Sequence, residues 1–570
     1  WAKPTEFILS LLGYVIGAGN LWRFSYLCFK NGGGAFLIPY LISACFISLP
    51  LYMFEVGLGQ FTQKGRLAAW ERLPIMKGIG YATVFITALG MIPFMGIMSW
   101  AILYLGHSLT TGPLPWTTCD NDWNTKSCTI LGNITNEGIF LQDSLPQFTT
   151  KWVKIVDCLF TTKLELTSSV NYRNYVLRLS YPYNENFNWQ MVLCSLGALT
   201  SIYSVVAKGV KISGKVVYFT ATFPYLILCV LFVRGVTLEG ASDGMRQLFV
   251  PDFKRLLSPQ VWVEAASQAM YTFGICNSGL TAFGSFNRRR NNFFKQAIFV
   301  IPAGCLTSIF MGLITFSFLG HIAHVNKVDI INVLSSGPGL VFQIYPYGLS
   351  LLPIPQLWSA LFFLMFYLVC IDTAFGEFEG MMVIIGDAFP KFVSNTKNRL
   401  LTCATLAGFL YLSCFMFLNK DSLYIFELIN FYGGSGICLL WSALWESIAV
   451  GWFWNADKFA IDFKYMTGTT LSIYFKYCYK LLIPTISAAT LIFYCIKWEP
   501  LKVGDYVYPW WANGIGWILS LSSILWIPGV ACYVMVRGNG TLSENTIKIF
   551  IYYVLKVARI PPPLLYILFV

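Results

Sequence analysis

The sequence predicts an all-α membrane protein of twelve transmembrane helices, ten of them forming two five-helix halves of inverted topology. Three observations predict it. Of the 570 residues, 56% are hydrophobic and 12% are charged, where a soluble chain carries about 25% charge. Apolar runs close to the roughly 20 residues that cross a bilayer recur twelve times. Two of those runs, five apart in order, are interrupted by glycine and polar residues at mid-span.

The runs cover residues 6–30, 34–60, 78–108, 189–207, 213–234, 261–287, 296–320, 357–389, 399–418, 423–453, 474–497 and 511–536. The twelve-span domain is read as 1–536, with a first repeat over 6–234, a second over 261–453, and helices 11 and 12 in 474–536. The net charge of +12 does not point to nucleic acid. Its basic residues fall in short clusters in alternate loops: Lys64/Arg66/Arg72/Lys77, Lys208/Lys211/Lys215, Arg288/Arg289/Arg290/Lys295, Lys391/Lys397/Arg399, and Arg537 with Lys548/Lys556/Arg559. Such bias marks cytoplasmic loops, so both termini and the 537–570 segment are placed in the cytoplasm, with the protein in the plasma membrane. The chain opens on Trp1 without an initiator Met, and further residues are expected upstream. The long polar loop over 109–188 is then external. It holds CDNDWNTKSC between Cys119 and Cys128, followed by the sequon Asn133-Ile134-Thr135. A Cys119–Cys128 disulfide and a glycan on Asn133 both suit an extracytoplasmic loop. The Pro-rich loop over 321–356 is also external and is expected to fold back as a lid.

The first run reads GYVIGAGNLWRF and the sixth YTFGICNSGLTAFGS. Each glycine weakens a helix by about 1 kcal/mol. Non-helical backbone at membrane depth survives only when buried in protein or lining a wet cavity. Glycines alone would suit close helix packing; the Asn, Thr and Ser among them do not. Paired broken helices in corresponding places of two halves mark the binding site of a secondary transporter.

The run GYVIGAGNLWRFSYLCFKNGGGAFLIPY (13–40) resembles the first two spans of the neurotransmitter:sodium symporter family. LPWTTCDNDWNTKSC, GVKISGKVVYFTATFPYLILCVLFVRGVTLEGA, GPGLVFQIYP and the IDTAFGEFEG region continue the likeness to about Arg537, and ICNSGLTAFGSFN and FGEFEG are similar to its GABA, taurine, creatine and betaine branch. The resemblance implies the fold of the bacterial leucine transporter, with discontinuous helices 1 and 6, and Na+ and Cl− as coupled ions. It implies one Na+ site on the carbonyls of Gly13, Ile16 and Val369 with the side chains of Asp372 and Thr373. A carboxylate such as Asp372, alone in an apolar span, is functional by default. A second Na+ site maps onto the carbonyl of Val15 with Asn20 and Thr272. It lacks a ligand, because Gly304 stands where the family has Asn. Chloride maps onto Tyr40, Gln268, Thr272 and Ser308, all neutral donors.

For the substrate, the resemblance implies Tyr14, Gly17, Gly19, Phe94, Tyr271, Phe273, Asn277 and Glu377. Gly17 replaces the Asp of the monoamine branch and leaves room for a substrate's acid group. Glu377, one helical turn after Thr373, is placed to meet an ammonium or guanidinium. Phe94 replaces the family's Tyr. Arg23 forms half of the outer gate, with Asn430 at the position of its usual acidic partner, and Asp387 marks the inner gate. No P-loop, CxxC pair or catalytic triad argues for an enzyme. The expectation is therefore a Na+-driven, Cl−-dependent importer of a small zwitterion, as a monomer or weak homo-oligomer. The rival is a divergent member with altered or lost ion coupling, acting as a sensor or partner protein; a channel is a remoter alternative.

Overall fold

The computed structural model describes residues 1, 3–118, 128–129, 165–166, 189–327, 330, 339–417, 422–434, 436–503 and 506–537. Cys119, Asn133, the other residues of the 109–188 loop apart from 109–118, 128–129 and 165–166, and residues 538–570 lie outside them. Cys128 is described only as backbone, in a two-residue strand paired in parallel with Glu165–Leu166.

Helices dominate. The first expected span is two helices, α1 (Pro4–Val15) and α2 (Ala18–Lys30), bent by 42°. The second is α3 (Gly34–Ser43) and α4 (Leu49–Thr62), joined without a break by a π-turn. A short helix α5 (Arg66–Ala69) precedes α6 (Gly78–Ser108). Then come α7 (Trp189–Val206), α8 (Val210–Thr220) and α9 (Phe223–Val236). The sixth expected span is α10 (Pro259–Thr272) and α11 (Gly279–Ser285). It is followed by α12 (Phe294–Asn326), α13 (Pro355–Ala388) and α14 (Thr396–Cys414). The last are α15 (Ser422–Tyr432), α16 (Ile437–Ile448), α17 (Ile483–Ile496), and the bent pair α18 (Trp510–Ile524) and α19 (Trp526–Arg537).

Among the described residues nine helices are long and apolar enough to cross a membrane, or eleven with each bent pair taken as one span. The sixth expected run escapes that count because its halves are six residues apart, over 273–278.

The inner helices are buried nearly all round. In α4 every residue from Pro50 to Gln60 is buried; a helix apolar on every face belongs to a core or a bilayer. α6 runs along α13, α4 along α11, and α1 lies against α8, α13 and α12. Outer helices instead turn side chains such as Leu412 and Ile492 outward, the surface a bilayer would cover.

Two features depart from the expectation. The run over 423–453 leaves the helix at Gly433 and Gly434, and Gly436 takes φ +59° before α16 begins. Gly434 there packs on the backbone of Gly90 of α6: a β-carbon on it would lie 2.8 Å from the Gly90 Cα. Arg66, read as one of a loop cluster of cations, is instead completely buried. It bridges Glu55 of α4 (3.3 Å) and Glu446 of α16, and its other nitrogens reach Thr83 (3.4 Å) and Thr281 (3.2 Å). The charge is inside because two buried carboxylates need it, and a buried carboxylate without a partner is costly.

Candidate functional site: a cavity between two broken helices

In the first span the helical ladder stops where the Ile16 N–H donates to the Leu12 carbonyl (2.9 Å). It resumes where the Asn20 N–H donates to Gly17 (3.1 Å). A helix end leaves its last carbonyls without intrahelical partners; here the Tyr14 carbonyl accepts from Thr373 and the Val15 carbonyl from Asn20 instead. In the sixth span Gly274 (φ +61°) and Cys276 (φ +67°) turn the chain out of the helix. The freed N–H groups are not orphaned: Cys276 donates to Glu55 Oε1 (2.7 Å) and Ser278 to Thr87 Oγ1 (3.2 Å). A positive φ on Cys276 is a strained conformation, held here by a buried carboxylate.

The two breaks face one cavity of about 70 Å³. Gly17, Gly19 and Asn20 bring the start of α2 to it. Phe94 comes from α6, Tyr271, Thr272 and Asn277 from the sixth span, and Thr373 and Glu377 from α13. At its base the Tyr14 hydroxyl donates to Glu377 Oε1 (2.5 Å), while Glu377 Oε2 is buried without a hydrogen-bond partner. The Tyr14 ring fits a slot walled by Gly274, Gly279 and Gly376, each too close to it to carry a β-carbon. Gly17 abuts Thr373, whose hydroxyl lies 3.0 Å from where a β-carbon would be. Phe273 is placed elsewhere: it is fully buried, and its ring occupies the space beside Gly304.

A second, smaller cavity holds Gly13, Ile16, Val369 and Asp372, with Thr220 of α8. Thr220 donates to Asp372 Oδ1 (2.5 Å), and Gly13 packs against Oδ2, 2.6 Å from where its β-carbon would sit. The lining combines the Asp372 carboxylate and the Thr220 hydroxyl with the apolar Ala221, Pro224 and Leu228; oxygen is the donor a hard cation takes. Thr373, grouped with Asp372 by the resemblance, lines the central cavity and not the smaller one, its hydroxyl toward the Tyr14 carbonyl (3.4 Å). The sequence reading did not include Thr220. A hydroxyl in an apolar span two residues before a helix break was its available signal.

Val15, Asn20 and Thr272 share the central cavity, with the Asn20 amide donating to the Val15 carbonyl (3.2 Å). The missing ligand at 304 has left no hole. A β-carbon on Gly304 would meet Phe273 at 2.7 Å and the Val15 side chain at 2.8 Å. Beneath, Tyr40, Gln268, Thr272 and Ser308 are all buried. Tyr40 pairs with Ser308 (3.2 Å) and Gln268 donates to Thr272 (3.2 Å), and a contact between the Tyr40 and Thr272 hydroxyls joins the pairs. These are donors free of positive charge, suited to an anion held among dipoles.

Above the cavity the Arg23 guanidinium lies 4.6 Å from the Tyr271 ring centre and donates to Ser267 (3.3 Å). Asn430 is half-buried on α15. At the other end of α13, Asp387 Oδ2 accepts the Gly65 N–H (2.5 Å).

A family comparison matches residues 1–538 to the sodium:neurotransmitter symporter family. The creatine transporter of Torpedo marmorata is 37% identical over 557 residues, covering 96% of this chain and 87% of the relative. The human sodium- and chloride-dependent creatine transporter 1 is 38% identical over 548 residues, 96% of this chain and 84% of the relative. The mouse sodium- and chloride-dependent GABA transporter 2 is 38% identical over 555 residues, 96% and 88% of the two chains.

Proposed function

The chain belongs to the sodium:neurotransmitter symporter family, and from that premise we propose that it couples Na+ and Cl− to the import of a small zwitterion of the GABA, taurine, β-alanine, creatine and betaine class. The observation that carries this reading is the polarity of the central cavity. One end is the start of α2, whose N–H groups favour an anion, with the Gly17 backbone lining the cavity beside Thr373, where a carboxylate or sulfonate can approach it. The other end is Glu377, hydrogen-bonded by Tyr14 through one oxygen and unpartnered on the other, a counter-charge for an ammonium or guanidinium. Phe94, Tyr271 and Asn277 wall the space between; Gly19 admits the Tyr271 ring against its backbone, and Phe273 supports the site from behind.

The driving ion binds at Gly13, Ile16, Val369, Asp372 and Thr373, with Thr220 steering the carboxylate. Val15, Asn20 and Thr272 form a weaker second cation site, and Tyr40, Gln268, Thr272 and Ser308 hold Cl−. Twelve spans in a 5+5 inverted repeat account for the nine long helices, the two bent pairs and the split sixth run. Both termini are cytoplasmic in a plasma-membrane protein, and the chain works as a monomer or weak oligomer. Rocking of the first, second, sixth and seventh spans against the rest exposes the cavity alternately. The carboxylate of Asp372, buried beside the break of the first span with only a hydroxyl donor, supports the coupled reading over the divergent one.

Uptake of labelled creatine, GABA and taurine into cells expressing the chain, with Na+ or Cl− replaced in turn, tests the proposal. Saturable uptake that collapses without Na+ and falls without Cl− is expected. Uptake indifferent to both ions, or none of any substrate in the class, would refute it.

A further inference from the structure

We propose that the fifth span supplies a ligand to the driving-ion site: the Thr220 hydroxyl, which holds Asp372 in the empty protein, turns to bind Na+ directly. This rests on the reading above that the smaller cavity takes the driving ion.

The smaller cavity lies where two helices stop. α1 ends at Val15, and Gly13 and Ile16 line the cavity from that side. α8 ends at Thr220, and Thr220 and Ala221 line it from the other. The C-terminal end of a helix carries partial negative charge and favours a cation, and two such ends meet here. The break in the fifth span also frees backbone oxygen. Pro224, at the start of α9, has no N–H, so the Thr220 carbonyl four residues before it has no donor in the helical ladder. Asp372 adds the full charge: it is buried, Thr220 donates to Oδ1, and Oδ2 has no hydrogen-bond donor among the described residues.

Three hydroxyls stand nearby. Thr373 turns to the Tyr14 carbonyl and lines the central cavity. Tyr225 lines the smaller cavity but is engaged with Thr307 (2.8 Å). Thr220 has two acceptors in reach, Asp372 Oδ1 (2.5 Å) and the Val216 carbonyl one turn back in α8 (3.2 Å). A hydroxyl has one proton and two lone pairs, so it serves one of these acceptors at a time. In the empty protein the proton goes to the carboxylate, the shorter contact. A cation beside the carboxylate repels that proton. Turned to Val216, a bond that a helical Thr makes readily, it leaves an oxygen lone pair facing the ion. The cavity measures about 10 Å³, room for one small body, and Ala221, Pro224 and Leu228 in its wall carry no side-chain oxygen. An ion there has no second water to take the place of the hydroxyl.

Holding the carboxylate and binding the ion predict opposite signs for Thr220→Val, which keeps the shape and removes the hydroxyl. If the hydroxyl only held Asp372, its loss would strand the carboxylate most in the empty state, and Na+ would bind as tightly as before or tighter. As a ligand, its loss puts a methyl against the ion, and the Na+ concentration at half-effect rises about tenfold or more. The measurement is the Na+ titration of thermal stability on the purified full chain, NaCl replacing choline chloride, counted as the part that Asp372→Asn abolishes. Thr220→Ser is expected to stay within about twofold of the wild type. Should Thr220→Val fail to fold, a cryo-electron microscopy structure of the Na+-loaded wild type decides. An ion about 2.3–2.6 Å from Thr220 Oγ1, the oxygen-ligand range of the similarly sized Ca2+, supports the proposal. An unchanged or lower half-effect concentration in Thr220→Val, or an ion at Asp372 out of reach of Thr220, overturns it and leaves the Na+ site standing. A wild type that Na+ does not stabilise overturns both.

Discussion

Replacing Asp372 with Asn separates what the carboxylate costs from what it binds. The residue is 4% exposed. The Thr220 hydroxyl donates to Oδ1, and among the described residues no cationic side chain lies within 4.0 Å. A buried carboxylate in that position costs several kcal/mol, which a bound Na+ offsets. Asn keeps the volume and the acceptor for Thr220 while removing the charge. The Na+-free protein should therefore be at least as stable as the wild type, and the Na+-dependent part should vanish. For one site at 100 times its dissociation constant, binding adds about 2.7 kcal/mol to the unfolding free energy. Thermal unfolding of the purified protein in NaCl against choline chloride, at equal ionic strength, reads that increment directly. The wild type should show it and Asp372→Asn should not, with uptake lost in parallel. A variant that Na+ stabilises as strongly as the wild type would refute the assignment. So would one markedly less stable than the wild type without Na+, because the carboxylate would then be structural.

Three further outcomes are expected. Arg66→Met strands Glu55 and Glu446 without a counter-charge and should lower stability by about 3–5 kcal/mol; adding Glu55→Gln and Glu446→Gln should recover most of it in the same unfolding assay. Gly304→Asn, which the alignment of motifs suggests would restore a Na+ ligand, should instead cost about 1–3 kcal/mol by overpacking against Phe273 and Val15, leaving the Na+ titration of uptake no steeper. Glu377→Gln should raise the KM for substrates with a cationic head about tenfold or more, the equivalent of losing a hydrogen bond to a charged group, whereas Tyr14→Phe should have a smaller effect.

The two helix breaks were legible because glycine and Asn in an apolar run contradict the run's own preference, and the contradiction is local. Asp372 was legible for the same reason: a charge that follows a long apolar run has few roles. Arg66 was not, since its neighbours Lys64 and Arg72 made it look like one more cytoplasmic cation, and its partners lie 11 and 380 residues away. The departure from the helix at Gly433 and Gly434 hid behind the hydrophobicity that flanks it. Gly304 shows a limit of motif transfer. The absent ligand was visible, but not that Phe273 and Val15 fill the volume beside Gly304, which only packing reveals. The Tyr14–Glu377 bond joins residues 363 apart, and the three glycines that seat the ring have no sequence spacing in common.

Glu55 has a consequence beyond neutralising Arg66. It grips the unwound middle of the sixth span at the Cys276 amide while Arg66 ties it to α16. A rod pinned at its centre behaves as a seesaw. Under the proposed rocking, α10 and α11 would swing in opposite senses about this fulcrum, and the two ends of the proposed passage would open in antiphase.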